Sequence, residues 1–116
     1  MSLPLGLEYK SATILNGASV TSDIALGAKA LIGLEMPGSW TAANLTFRVS
    51  TDGGQNYSNL YDASGNEYTV TVAAGRYVYL DPGVFIGINM LQIRSGTSGS
   101  AVNQGADRII KLAIRP

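Results

Sequence analysis

The chain contains no cysteine and no histidine, and it is poor in charge. Without cysteine there is no disulfide framework, no thiolate nucleophile and no cysteine-held zinc. Without histidine there is no imidazole base, no Ser-His-Asp triad and no imidazole-ligated metal. Charged residues make up 14% of the 116 positions, against roughly 25% in an average soluble domain. Eight basic and eight acidic residues cancel to zero, so the electrostatic footprint of a nucleic-acid binder is missing. The longest apolar stretch, residues 24–36, is interrupted by Lys29 and Glu35 and is too short to span a bilayer. Residues 1–6 show neither a basic n-region nor an apolar h-region, so no signal peptide is expected. These absences predict a soluble domain with no cofactor, no metal, no membrane or nucleic-acid partner, and no enzymatic activity.

The rest of the sequence reads as short strands. Leu45, Phe47 and Val49 alternate with Thr46 and Arg48. Tyr68, Val70 and Val72 alternate with two threonines, and Leu91 and Ile93 with Gln92 and Arg94. Ile110, Leu112 and Ile114 point one way, while Lys111, Ala113 and Arg115 point the other. Ala30, Ile32, Leu34 and Met36 share a face opposite Glu35. Residues 8–14, 23–26 and 76–80 are shorter candidates, and residues 81–85 read as one helical turn. Gly and Pro turn signals fall between these runs every 8–14 residues or so. Short strands at that spacing predict one all-β domain over residues 1–116, with residues 1–7 as an N-terminal arm. The expected form is a single antiparallel β-sandwich, jelly-roll-like, of about seven to nine strands. Its expected core is Ile32, Leu34, Leu45, Phe47, Val49, Val70, Leu91, Ile93, Ile110, Leu112 and Ile114, with Trp40 capping one end.

Three features stand out from this background. Ser50, Asp52, Gly54 and Tyr57 fit the pattern Ser-x-Asp-x-Gly-x-x-aromatic, which resembles the Asp-box of sialidases. The motif implies a structural hairpin in which Asp52 ties up turn amides, Tyr57 packs close by, and loss of Asp52 strands buried donors. One copy cannot build a propeller. Second, residues 95–106 form a long polar loop between two strands, and loops of that length are often functional. Thr97, Ser98, Asn103 and Gln104 are its candidate partner-binding residues, with Arg94 and Arg108 flanking it and able to pair with a partner's carboxylates. Third, Tyr57, Tyr61, Tyr68, Tyr77 and Tyr79 cluster mid-chain. Tyr77 and Tyr79 are interface candidates, since tyrosine offers a rigid apolar body with a polar tip. Three further carboxylates, Asp62, Glu67 and Asp81, sit at or near turns; residues 62–67 offer oxygen ligands without the spacing of an EF-hand.

Several segments together carry a resemblance. They are residues 36–47, the hairpin 50–57, Leu60-Tyr61-Asp62, Leu80-Asp81-Pro82, residues 93–98 and residues 102–108. As a set they resemble a group of small proteins encoded in the structural regions of tailed phages and prophages, near head genes. The resemblance covers residues 10–116 and brings no catalytic residues. It implies a capsid decoration (cement) protein, made in the host cytoplasm and held on the outer surface of the virion head. Its partner would be the major capsid protein, and its own state a homotrimer. Two other readings remain open: a tail or baseplate sandwich that binds host-surface glycans, and a carboxylate-based glycan hydrolase.

Overall fold

A computed structural model describes residues 6–116 of the chain; most of the expected N-terminal arm, residues 1–5, lies outside the described residues. Eight strands form two four-stranded antiparallel sheets: β1 (Glu8–Ile14), β2 (Ile24–Ala25), β3 (Ala30–Glu35), β4 (Leu45–Ser50), β5 (Ser58–Asn59), β6 (Tyr77–Tyr79), β7 (Met90–Ser95) and β8 (Arg108–Arg115). The first sheet runs β1-β8-β3-β6 and the second β2-β7-β4-β5. Strand β1 pairs β8, β2 pairs β7, β3 pairs β6 and β4 pairs β5, as in one long hairpin. Wrapping that hairpin on itself brings β8 beside β3 and β7 beside β4. This is the order of a jelly roll. Among the described residues no helix is long and apolar enough to cross a membrane.

The alternation read from the sequence becomes the core. Leu45 and Phe47 of β4, Leu91 and Ile93 of β7, and Ile110, Leu112 and Ile114 of β8 are all buried between the sheets. Burying each such side chain fully contributes about 1.5–3 kcal/mol. Trp40 packs against this core and donates its indole N–H to the Ala43 carbonyl, 3.0 Å away.

Three expectations need correction, and a fourth, the helical turn, holds. The register of β3 against β8 slips between Leu31 and Gly33. A bulge spends one extra residue on the same face, so Leu31 and Leu34 turn inward and Ile32 is only half-buried. Val49 is also half-buried, near the hairpin end of its sheet. Residues 68–72 do not form a full strand: only Val70 bridges β4, at Leu45, because β5 occupies the same edge of β4 further along. The inward alternation survives there, since Val70 and Val72 are buried. Finally, the helical turn α1 (Pro82–Phe85) is present, with the Asp81 carboxylate accepting from the Gly83 amide at 3.0 Å. Its last residue, Phe85, is a fully buried core member that alternation does not reveal.

Candidate functional site: a stitched loop end and a tyrosine face

Alternating strand direction puts the connections β1–β2, β3–β4, β5–β6 and β7–β8 at one end of the sandwich. Two buried polar side chains hold these four loops together. The Gln104 side chain works as a piece of backbone. Its Oε1 accepts the Thr41 amide at 2.9 Å, and its Nε2 donates to the Thr41 carbonyl at 3.0 Å and to Ser95 Oγ at 2.7 Å. The Gln104 main chain pairs with Gly17 and Ala18 of the first loop. Arg94 does the same for the third loop: its Nε donates to Thr46 Oγ1 at 3.0 Å, and its Nη2 to Asn59 Oδ1 at 2.8 Å and to the Glu67 carboxylate at 3.4 Å. Burial draws the Arg94 guanidinium below the ordinary arginine range, and Glu67 opposes that shift. Glu67 also accepts the Ser98 amide, tying the β5–β6 loop to the β7–β8 loop.

The long polar loop is therefore anchored. Gly96 and Ala101 bridge, and Thr97 and Ser100 exchange backbone bonds across a tight turn. Gly96 has φ +90°, and an added Cβ would fall 2.8 Å from the Val102 amide nitrogen, so glycine is required there.

The partner-binding residues expected from the sequence divide into three groups. Arg94 and Gln104 are 7% and 1% exposed. Arg94 Nε and Nη2 and both side-chain amide atoms of Gln104 are bonded within the fold, so these side chains are turned inward rather than presented to a partner as expected. Arg108 is half-buried and turned onto the same hub, donating to Gln104 Oε1 at 3.1 Å and Thr41 Oγ1 at 3.2 Å. It is a support of the loop end rather than a free cation. Ser98 and Asn103 are exposed on that end and Thr97 is half-buried. Tyr77 and Tyr79 lie elsewhere, on edge strand β6 of the first sheet, and are 57% and 76% exposed.

The hairpin from Ser50 to Tyr57 connects β4 to β5, as the motif implies. Ser50 Oγ accepts the Gly54 amide at 2.8 Å and donates to Asp52 Oδ1 at 2.8 Å. Asp52 Oδ1 accepts the amides of Gln55 and Asn56 at 3.1 and 2.9 Å. Gly54 supplies φ +93°. Tyr57 lies under the Arg48 guanidinium at 5.2 Å and donates to Asp23 at 2.6 Å. The amides held by Asp52 are solvent-exposed, not buried, so water replaces the carboxylate when it is removed. The expected loss of stability is accordingly smaller than buried donors would give.

These bonds predict a pH signature. The Asn56 side chain, the Asn56 amide and Ser50 hold the Asp52 carboxyl at about 2, below its ordinary 3.8. A lowered folded-state pKa contributes stability above pH 3.8 that is lost as pH falls toward 2. Denaturation of the native protein and Asp52→Ala should therefore show a gap at pH 6 that narrows on acidification through this window. A constant gap would show that the ionised carboxylate does not hold the turn.

The outer face of the first sheet holds a second candidate site that sequence reading located only in part. Tyr9 pairs with Ala113, Ala113 with Gly33, and Gly33 with Tyr79. In the next row Lys111 pairs with Glu35, and Glu35 with Tyr77. Tyr9, Glu35, Tyr77, Lys111 and Ala113 line a depression of about 320 Å³. Tyr77 leans across Gly33, where a Cβ would fall 2.6 Å from its Cζ. Burial first, then Tyr9 and Glu35, raise the Tyr77 phenol above its ordinary pKa. Tyr9, Glu35 and Lys111 were not legible as site residues, because strand register alone brings them beside Tyr77. The sequence signals were the outward alternation of Glu35, Lys111 and Ala113.

Each turn carboxylate has partners within the fold. Asp62 Oδ1 accepts the Ser64 and Asn66 amides at 2.9 and 3.0 Å, Asp81 the Gly83 amide, and Glu67 is paired with Arg94. No group of three or more metal-ligating acidic side chains occurs among the described residues. No protein-family model matches the sequence, and no curated protein or solved structure matches it either.

Proposed function

We propose that the protein is a non-enzymatic decoration protein of a tailed-phage head, sitting on the outer capsid surface and holding neighbouring subunits of the major capsid protein together. The observation that carries the reading is the stitched loop end. Loops 36–44 and 96–106 contain no charged residue, and they are fixed in place by the Arg94 and Gln104 hubs. A rigid, uncharged surface loses little conformational entropy and little hydration on docking. Ser98 and Asn103 give that surface exposed donors and acceptors without charge. Zero net charge suits the outside of a head better than its DNA-filled interior. The jelly roll recurs in viral capsid domains, which is compatible with the reading but does not by itself carry a function. A trimer at three-fold positions would multiply weak contacts into avidity.

Binding that favours the assembled shell stabilises it by mass action. Heads made without the protein should therefore assemble, but release DNA at a lower temperature or on dilution into low salt. Equal robustness with and without the protein would contradict the reading.

A further inference from the structure

We propose that the tyrosine face of the first sheet is a saccharide-binding site, taking a neutral, flat, β-linked oligosaccharide. This goes beyond the decoration role and does not depend on it. Three tyrosines, Tyr9, Tyr77 and Tyr79, are 50%, 57% and 76% exposed on one sheet face. Strands β1 and β6 bound the sheet with β8 and β3 between them, and Tyr77 leans inward across β3 so that it lines one depression together with Tyr9. Tyr77 lies over Gly33, and Gly33 and Ala113 are buried beneath the face, so the exposed surface is that of the tyrosine side chains themselves. Tyr77 can lie there only because Gly33 has no Cβ.

The polar groups fit hydroxyls rather than ions. Glu35 and Lys111 face each other across β3 and β8 but form no ion pair with one another. Their side chains, and the hydroxyls of the three tyrosines, make no hydrogen bond to a described residue. By contrast, the Tyr57 hydroxyl is bound to Asp23. A carboxylate accepts and an ammonium donates, so the pair can satisfy vicinal hydroxyls while leaving the site neutral. The two charges sum to zero, so the site offers no net attraction to an acidic or a cationic ligand. Aromatic faces supply the apolar contact for the C–H faces of equatorially substituted pyranoses. The volume, about 320 Å³, is at the lower end for small-ligand sites, as suits an open platform holding a chain across its width.

The test titrates the isotope-labelled full chain with cellopentaose and, separately, chitopentaose, following backbone amide shifts. Binding of either should move the amides of Tyr9, Gly33, Glu35, Tyr77, Tyr79, Lys111 and Ala113 and leave the loop end unmoved. Tyr77→Ala should weaken binding about tenfold, equivalent to about 1.4 kcal/mol. Gly33→Ala keeps every tyrosine but displaces the Tyr77 ring, and should weaken binding to a similar degree. Tyr61→Ala, at an exposed tyrosine next to the other sheet, should bind as the native protein does. The proposal is overturned if neither sugar moves these amides, or if Tyr77→Ala and Gly33→Ala bind undiminished. It is also overturned if the sugar-free protein self-associates through this face and Tyr77→Ala abolishes that association, since a second copy then covers it.

Discussion

Replacing Phe85 with alanine should lower folding stability by about 4 kcal/mol, within the range for emptying a buried phenylalanine site. Phe85 is fully buried although it belongs to a four-residue helical turn on a connection between β6 and β7. Its ring meets Phe47 edge-on at 5.3 Å and Tyr68 at 5.9 Å, and Phe47 in turn lies 5.8 Å from Tyr68. The truncation therefore removes the apolar burial and two favourable aromatic geometries. The turn cannot follow the cavity inward easily, because Asp81 caps it and Pro82 fixes its first φ. Phe85→Leu retains most of the volume and should cost less than half as much. Denaturant midpoints at constant m-value measure both. A loss below about 1 kcal/mol for Phe85→Ala would mean that the site collapses freely and that α1 does not close the core.

Replacing Arg94 with alanine should cost about 3 kcal/mol, the lower end for breaking a buried charge pair. The deletion leaves Glu67, Asn59 and Thr46 without the donor that joins them. The cost is kept to that lower end because the Arg94–Glu67 pair is long, at 3.4 Å. Arg94→Lys should recover little, since one ammonium cannot reproduce the divergent Nε and Nη2 donors. The loss has a location as well as a size. Hydrogen exchange should accelerate at the Ser98 amide, whose acceptor is Glu67, while the amides of β1 and β8 keep their protection. Uniform loss of protection would instead place Arg94 in the global core and remove it from the loop hub.

The same residue shows where sequence reading stops. Alternation in β7 puts Leu91 and Ile93 inward and Gln92 and Arg94 outward, and that phase is right. In an isolated sheet the outer face is wet, so Arg94 reads as an exposed cation. Here residues 59–67 fold back over that face and bury Arg94 together with Thr46. Gln104 is hidden for a related reason: it lies in a polar loop, where nothing local announces that its amide replaces missing backbone partners. The β3 bulge at Ile32 is invisible to a period-of-two reading, which assigns faces without a slip. Conversely, the hairpin from Ser50 to Tyr57 was legible because the turn bonds made by Ser50 and Asp52 are local, whereas the Tyr57–Asp23 bond was not. The tyrosine face was half-legible. Tyr77 and Tyr79 are two residues apart on one strand, but Tyr9, Lys111 and Glu35 join them only through pairings of strands far apart in the chain.

The decoration role is tested most directly by adding the purified protein back to phage heads assembled without it and imaging them. The account predicts added density on the outer shell, with the end formed by residues 36–44 and 96–106 against the capsid. Ser98→Trp, a bulky change at the exposed tip, should fold normally yet leave the heads bare. Bare heads with the native protein, together with density on tails alone, would contradict the account.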